Sequence, residues 1–170
     1  MGFVKTEKAT DFVKIEMENG DAMVIELDNE DTPVTKSNFQ KLVSEKFFDG
    51  LIFHRVIEGF MIQGGDPTGT GCGGSEQTIK GEFSSNGVDN KMSHLRGVIS
   101  MARTNMPNSA SSQFFICHKD AKFLDGQYAC FGRVVEGMDT VDKIAATATS
   151  HNDRPVADQT MSSVYFVEKL

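Results

Sequence analysis

The sequence predicts a mainly β domain, an antiparallel β-barrel of about eight short strands capped by two α-helices. Three observations carry this. Short apolar runs, several alternating with polar residues, are separated by turn residues. Only two stretches show helical apolar spacing. Strands and helices do not alternate as βαβ units, which excludes a doubly wound parallel sheet, and closing antiparallel strands into a barrel removes exposed edges.

Residues 1–11 read as an N-terminal extension. They lack the apolar segment of a signal peptide. Gly2 and Thr6 fit a myristoylation pattern, but the pattern is loose and bulky Phe3 sits inside it. The domain proper, 12–170, opens with a hairpin. Val13, Ile15 and Met17 alternate with Lys14, Glu16 and Glu18; Asn19-Gly20 supplies the turn; Met23, Ile25 and Leu27 alternate with Val24 and Glu26. A helix follows, capped by Thr32, with Pro33 at its first position and Val34, Phe39, Leu42 and Val43 on its apolar face; Gly50 is its expected stop. Strand-like runs then fall at Leu51–Ile57, Phe60–Gln63, Val98–Ala102, Gln113–Cys117, Tyr128–Val134 and Ser163–Val167. The second helix fits 138–146, where Val141, Ile144 and Ala145 share a face.

Composition narrows the function classes. A chain of 170 residues is a single-domain length. With 39% hydrophobic and 24% charged residues it can bury a core, and no apolar run approaches the roughly 18 residues of a membrane span. A net charge of −7 argues against nucleic-acid binding. Cys72, Cys117 and Cys130 show neither CxxC nor zinc spacing, so neither a metal nor a disulfide framework is expected, and reduced thiols in the cytoplasm are the simplest reading. No cofactor motif is complete: Gly69–Gly74 satisfies G-x-G-x-x-G literally but lacks the strand before it and the helix after it. No nucleophile elbow, catalytic triad or H-E-x-x-H occurs.

Three stretches remain. On an extended strand Phe53, Arg55 and Ile57 would share a face, and spacing alone favours an edge strand or a structural ion pair for Arg55. Phe60 and Met61, taken singly, read as core.

The blocks FHRVIEGFMIQGGD, GVISMARTNMPNSASSQFFI and FLDGQYACFGRVVEGMDTVDKI together resemble the cyclophilin-type peptidyl-prolyl cis-trans isomerases, in order and spacing, from about Val13 to Val167. The wording MARTNMPNSASSQFF resembles the bacterial and organellar branch. The resemblance implies a closed eight-stranded barrel with two capping helices. It also implies isomerisation of X-Pro bonds by a monomer acting on proline-containing peptides and flexible protein segments, without metal, cofactor, nucleic acid or membrane. It reverses the reading of Arg55, which becomes the main catalytic residue. It places Phe60, Met61, Phe115 and Leu124 around the proline ring. Gln63 and the backbone of Arg103 hold the peptide, Ala102, Thr104 and Gln113 border the groove, and Gly69 begins the glycine loop at its rim.

Two departures matter. Phe123 stands where many family members have Trp, so the indole N–H donor is missing and cyclosporin binding is expected to weaken. Tyr128 replaces a common His and is expected to shift substrate preference. The competing classes are a non-catalytic proline-peptide module or chaperone, which retention of Arg55 disfavours, and a thiol redox protein using Cys117 and Cys130, which no motif supports.

Overall fold

A computed structural model describes residues 2–170. Its strands are β1 (Phe3–Lys5), β2 (Phe12–Met17), β3 (Ala22–Glu26), β4 (Arg55–Ile57), β5 (Met61–Gly64), β6 (Val98–Met101), β7 (Phe114–Cys117), β8 (Cys130–Glu136) and β9 (Met161–Lys169); its α-helices are α1 (Pro33–Ser44) and α2 (Met138–Ala145). The expected hairpin forms: β2 pairs with β3, Gly20 takes φ 94° in the turn, and Val13, Ile15 and Met17 point inward. Val24, expected outside, is also buried, because α2 lies over β3. The helix starts at Gly137, where φ is 84° and an added Cβ would strike the carbonyl oxygen of Ala22; Thr140 Oγ1 donates to that same carbonyl at 2.8 Å.

All pairings are antiparallel and the order is β1-β9-β2-β3-β8-β6-β7-β5-β4, nine strands rather than eight. The additional strand, β1, lies within the expected extension, pairs with Val167–Lys169 of β9, and sets Phe3 5.3 Å from the Phe12 ring. The ladder does not close, because residues 50–53 are irregular and β4 begins only at Arg55. At the seam, Gly50 N–H donates to Met161 O at 2.7 Å, Met161 N–H to Leu51 O at 2.8 Å and Phe53 N–H to Gln159 O at 2.9 Å, around an isolated Ile52–Thr160 bridge.

The ends of α1 differ from expectation. The Thr32 side chain does not cap it; Thr32 Oγ1 donates to Asn29 O instead. The cap is Glu82, whose buried carboxylate accepts from Thr35 N (2.6 Å), Thr35 Oγ1 (2.6 Å) and Val34 N (3.2 Å). A carboxylate there satisfies orphan N–H groups and complements the helix dipole. Val34 turns outward, 43% exposed, and Thr35 takes the buried position. The helix stops at Ser44, ahead of Gly50: Lys46 adopts φ 57°, its N–H donates to Val43 O, and Phe47 N–H donates to Leu42 O, a Schellman arrangement.

The register separates two faces. Val56, Ile62, Ile116, Ile99 and Gly132 are successive cross-strand partners that line the interior. Phe114 anchors the core there, with edge-on contacts to Phe39, Phe48 and Phe53 at 5.7, 5.5 and 6.0 Å; such pairs add about 0.5–1.5 kcal/mol beyond area burial.

Candidate active site

The next row on the opposite face is Arg55, Gln63, Phe115 and Ser100; beside it run Ile57, Met61 and Cys117. Phe53 therefore does not share a face with Arg55: it lies in the barrel core with Val56, because the strand period starts only at Arg55. Arg55 and Ile57 face outward over a second apolar cluster of Met61, Phe115, Cys117, Ala121 and Leu124, flanked by Phe60, Ala102 and Tyr128. On this cluster sits a cavity of about 120 Å³. Arg55, Phe60, Met61, Gln63, Ala102, Arg103, Phe115, Leu124 and Tyr128 line it, nine of the thirteen residues expected at the site.

A chain of amides holds the arginine. Arg55 Nη1 donates to Gln63 Oε1 at 3.4 Å, Gln63 Nε2 to Gln113 Oε1 at 2.9 Å, and Gln113 Nε2 to Gly71 O and Gly73 O at 3.0 and 2.8 Å. The glycine loop is itself tied to Asp66, whose buried carboxylate accepts from Thr68 N (2.8 Å), Thr68 Oγ1 (2.8 Å), Thr70 N (3.2 Å), Gly71 N (2.6 Å) and Gly73 N (3.0 Å). Burial would raise its pKa, but these bonds outweigh it and hold the carboxyl at about 2. Sequence reasoning missed Asp66, although an Asp just ahead of a Gly-rich run is a turn signal.

Arg103 has a locked side chain. Its guanidinium lies 4.9 Å from the Tyr128 ring centre and 4.6 Å from that of Phe83, while Nε donates to Gln127 O at 2.9 Å. Thr104 and Gln113 lie outside the cavity and line a neighbouring cleft of about 470 Å³ between the glycine loop and Ser109. Gly69 borders a third hollow on the other side of the loop. Phe123 stands at the rim, 73% exposed, its ring 5.6 Å from Phe60.

Two histidines support the walls. His94 is buried, stacks on Phe115 at 5.9 Å and 14°, and bonds Asp125 Oδ1 (2.8 Å) and Ser100 Oγ (2.9 Å). It thus joins the cavity floor to the turn carrying Leu124; burial lowers its pKa, with Asp125 opposing. No local spacing announces it, since Asp125 is 31 residues away. His118 Nδ1 accepts from Gly59 N at 2.8 Å, leaving the ring proton on Nε2, 3.1 Å from Asp142, which Arg96 also grips. This ties the Phe60 turn to α2. Buried Cys117 and Cys130 have thiols pushed up by burial to about 12, the reverse of a reactive thiolate. Among the described residues no cluster of His, Cys, Asp or Glu could hold a metal ion, and no helix is long and apolar enough to cross a membrane.

A family profile described as cyclophilin type peptidyl-prolyl cis-trans isomerase/CLD matches residues 12–166. The chain belongs to the cyclophilin-type peptidyl-prolyl cis-trans isomerases. It is 40% identical over 149 residues to peptidyl-prolyl cis-trans isomerase-like 1 of Gibberella zeae, covering 87% of this chain and 90% of that one. It is 44% identical over 135 residues to a peptidyl-prolyl cis-trans isomerase of Acinetobacter baylyi, covering 74% and 68%. Fungal and bacterial cyclophilins therefore match at comparable identity, and the bacterial branch is not singled out. The crystal structure of a Cryptosporidium parvum cyclophilin superposes with a TM-score of 0.85 at 29% identity, covering 94% of this chain and 98% of that one; the same protein in the presence of the dipeptide Ala-Pro gives 0.84, again at 29% identity, covering 93% and 99%.

Proposed function

We propose that Arg55 catalyses rotation about X-Pro bonds by donating a hydrogen bond to the prolyl nitrogen of the twisted amide. One observation carries this: an exposed guanidinium, oriented by Gln63, stands at the mouth of an apolar cavity of about 120 Å³. Amide resonance sets a barrier of roughly 18–20 kcal/mol. As the bond twists, the nitrogen becomes pyramidal and recovers a lone pair that the planar ground state lacks, so a donor placed there favours the transition state over the substrate. One charge-assisted bond supplies ~1.5–3 kcal/mol of the roughly 5.5–7 kcal/mol that a 10⁴–10⁵-fold acceleration needs. Anchoring supplies the rest: Phe60, Met61, Phe115 and Leu124 grip the ring while Gln63 and the backbone of Arg103 hold the chain on one side of the turning bond. Nothing is made or cut, so the reaction needs no nucleophile.

The substrates on this reading are proline-containing segments of unfolded or flexible proteins, met by a monomer in the cytoplasm, and the consequence is faster folding. The related Cryptosporidium protein studied with Ala-Pro supports a proline ligand. The seam bonds between 50–53 and 159–161 act on this reading as the barrel's closure and fix the start of β4, hence Arg55. The testing experiment is a coupled prolyl-peptide assay on wild type and Arg55→Ala: loss of most turnover with an unchanged melting curve supports the assignment, and wild-type turnover rejects it.

A further inference from the structure

The hollow on the far side of the glycine loop is absorbed by none of the roles above. Its volume is about 520 Å³, and Arg55 and Arg154 both line it, together with His54 and Gly69. Both cations have donors to spare. Among the described residues, the one hydrogen bond from the Arg55 guanidinium is the 3.4 Å contact to Gln63. Arg154 Nη1 donates to Gly69 O at 2.5 Å, and its Nη2 stays 3.8 Å from Asp158, a loose surface pair. Among the described residues, Asp153 is the one carboxylate in the wall. The carboxylate of nearby Asp66 is already surrounded by donors from its own loop. The imidazole of His54, 6% exposed, has no partner at Nδ1 among the described residues, and burial, with Arg154 and Arg55 beside it, lowers its pKa although Asp66 pulls the other way. The wall at Asn152 and Asp153 holds two successive non-glycine residues at φ 60° and 59°, a conformation that costs energy and tends to persist where a surface has a task.

We propose that this hollow is a subsite for an acidic side chain of the substrate, within three residues of the proline. Arg55 faces both the hollow and the proline cavity, so a peptide bound at the cavity passes the hollow within a few residues at ~3.3 Å each. A carboxylate there would take the unused donors of Arg154 and be attracted by Arg55 from the other side. The glycine loop separates the hollow from the cleft at Ser109, so the preference belongs to one side of the proline only. This inference rests on the assignment of Arg55 and adds substrate choice to it.

The test is kcat/KM for a series of prolyl peptides carrying Glu, Gln or Lys at each of three positions before and after the proline. The expected result is a Glu-over-Gln preference of about five-fold on one side only, the size of one partly exposed charge pair. In Arg154→Gln, which retains a donor for Gly69, that ratio falls to near one; in Arg154→Glu it inverts in favour of Lys. A ratio near one at every position in wild type, or one that survives in Arg154→Gln, overturns the subsite while turnover of the Gln peptides leaves the isomerase reading standing. Absence of turnover on every peptide overturns both.

Discussion

Replacing Gln113 by leucine removes the middle of the amide chain that orients Arg55, the residue proposed to catalyse the rotation. Three hydrogen bonds go: 2.9 Å from Gln63, and 3.0 and 2.8 Å to the carbonyls of Gly71 and Gly73. At about 0.5–1.5 kcal/mol net each, and with exposed Gly71 free to rehydrate, stability should fall by about 1–3 kcal/mol. The effect on rate is separate. Gln63 then turns freely, and the 3.4 Å contact that aims Arg55 is lost. Forfeiting about 1.4 kcal/mol of transition-state stabilisation is a ten-fold loss. The assay is kcat/KM on a neutral prolyl peptide, with denaturant unfolding run in parallel. A variant destabilised as stated but within two-fold of wild-type kcat/KM would refute the claim that this chain positions Arg55.

Three further outcomes follow from the geometry. Glu82→Ala strips the buried cap from α1 and leaves the N–H groups of Val34 and Thr35 unsatisfied, so unfolding free energy should drop by about 2–3 kcal/mol with kcat/KM little changed; a melt unaltered by the substitution would contradict the cap. Asp66, held at about 2 against an ordinary 3.8, is protonated first in the unfolded chain. Its contribution is complete above about pH 5 and is lost as pH falls through about 2, so between those values wild type should lose about 2–3 kcal/mol more than Asp66→Asn; parallel pH profiles would count against it. Phe123→Trp restores an indole donor at an exposed rim position, so cyclosporin should compete more strongly with substrate; unchanged inhibition would dismiss the role given to the missing indole.

What the sequence revealed depended on how local the cause was. The hairpin at 12–26 and the buried face of α2 were legible because a period and a turn lie within a few residues of each other. The cap of α1 was not: Thr32 fits the local rule, and the carboxylate that replaces it is 47 residues from Thr35. Lys46 hid the helix stop because a non-glycine residue took the left-handed position. Periodicity paired Arg55 with Ile57 correctly but misplaced Phe53, because the strand begins at Arg55 and not at Leu51. The site came from motif resemblance, which named the cavity lining but not His94, whose partners are distant in sequence, nor the charge pattern around Arg154. The phenylalanines divide between the two faces. Six phenylalanines, Phe39, Phe48, Phe53, Phe114, Phe131 and Phe166, build the main core, whereas Phe60, Phe115 and Phe123 face the site.

The central claim is that a single guanidinium, aimed at the prolyl nitrogen, supplies a large share of the catalysis. The most direct measurement compares kcat/KM of wild type, Arg55→Lys and Arg55→Ala on one neutral prolyl peptide from pH 6 to 8. The account predicts a wild-type profile that is flat across this window, a loss of roughly 10- to 150-fold in Arg55→Ala from a forfeited ~1.5–3 kcal/mol, and only partial recovery in Arg55→Lys, whose ammonium lacks the planar fork. Wild-type turnover in Arg55→Ala, or a steep pH dependence in the wild type, would contradict it.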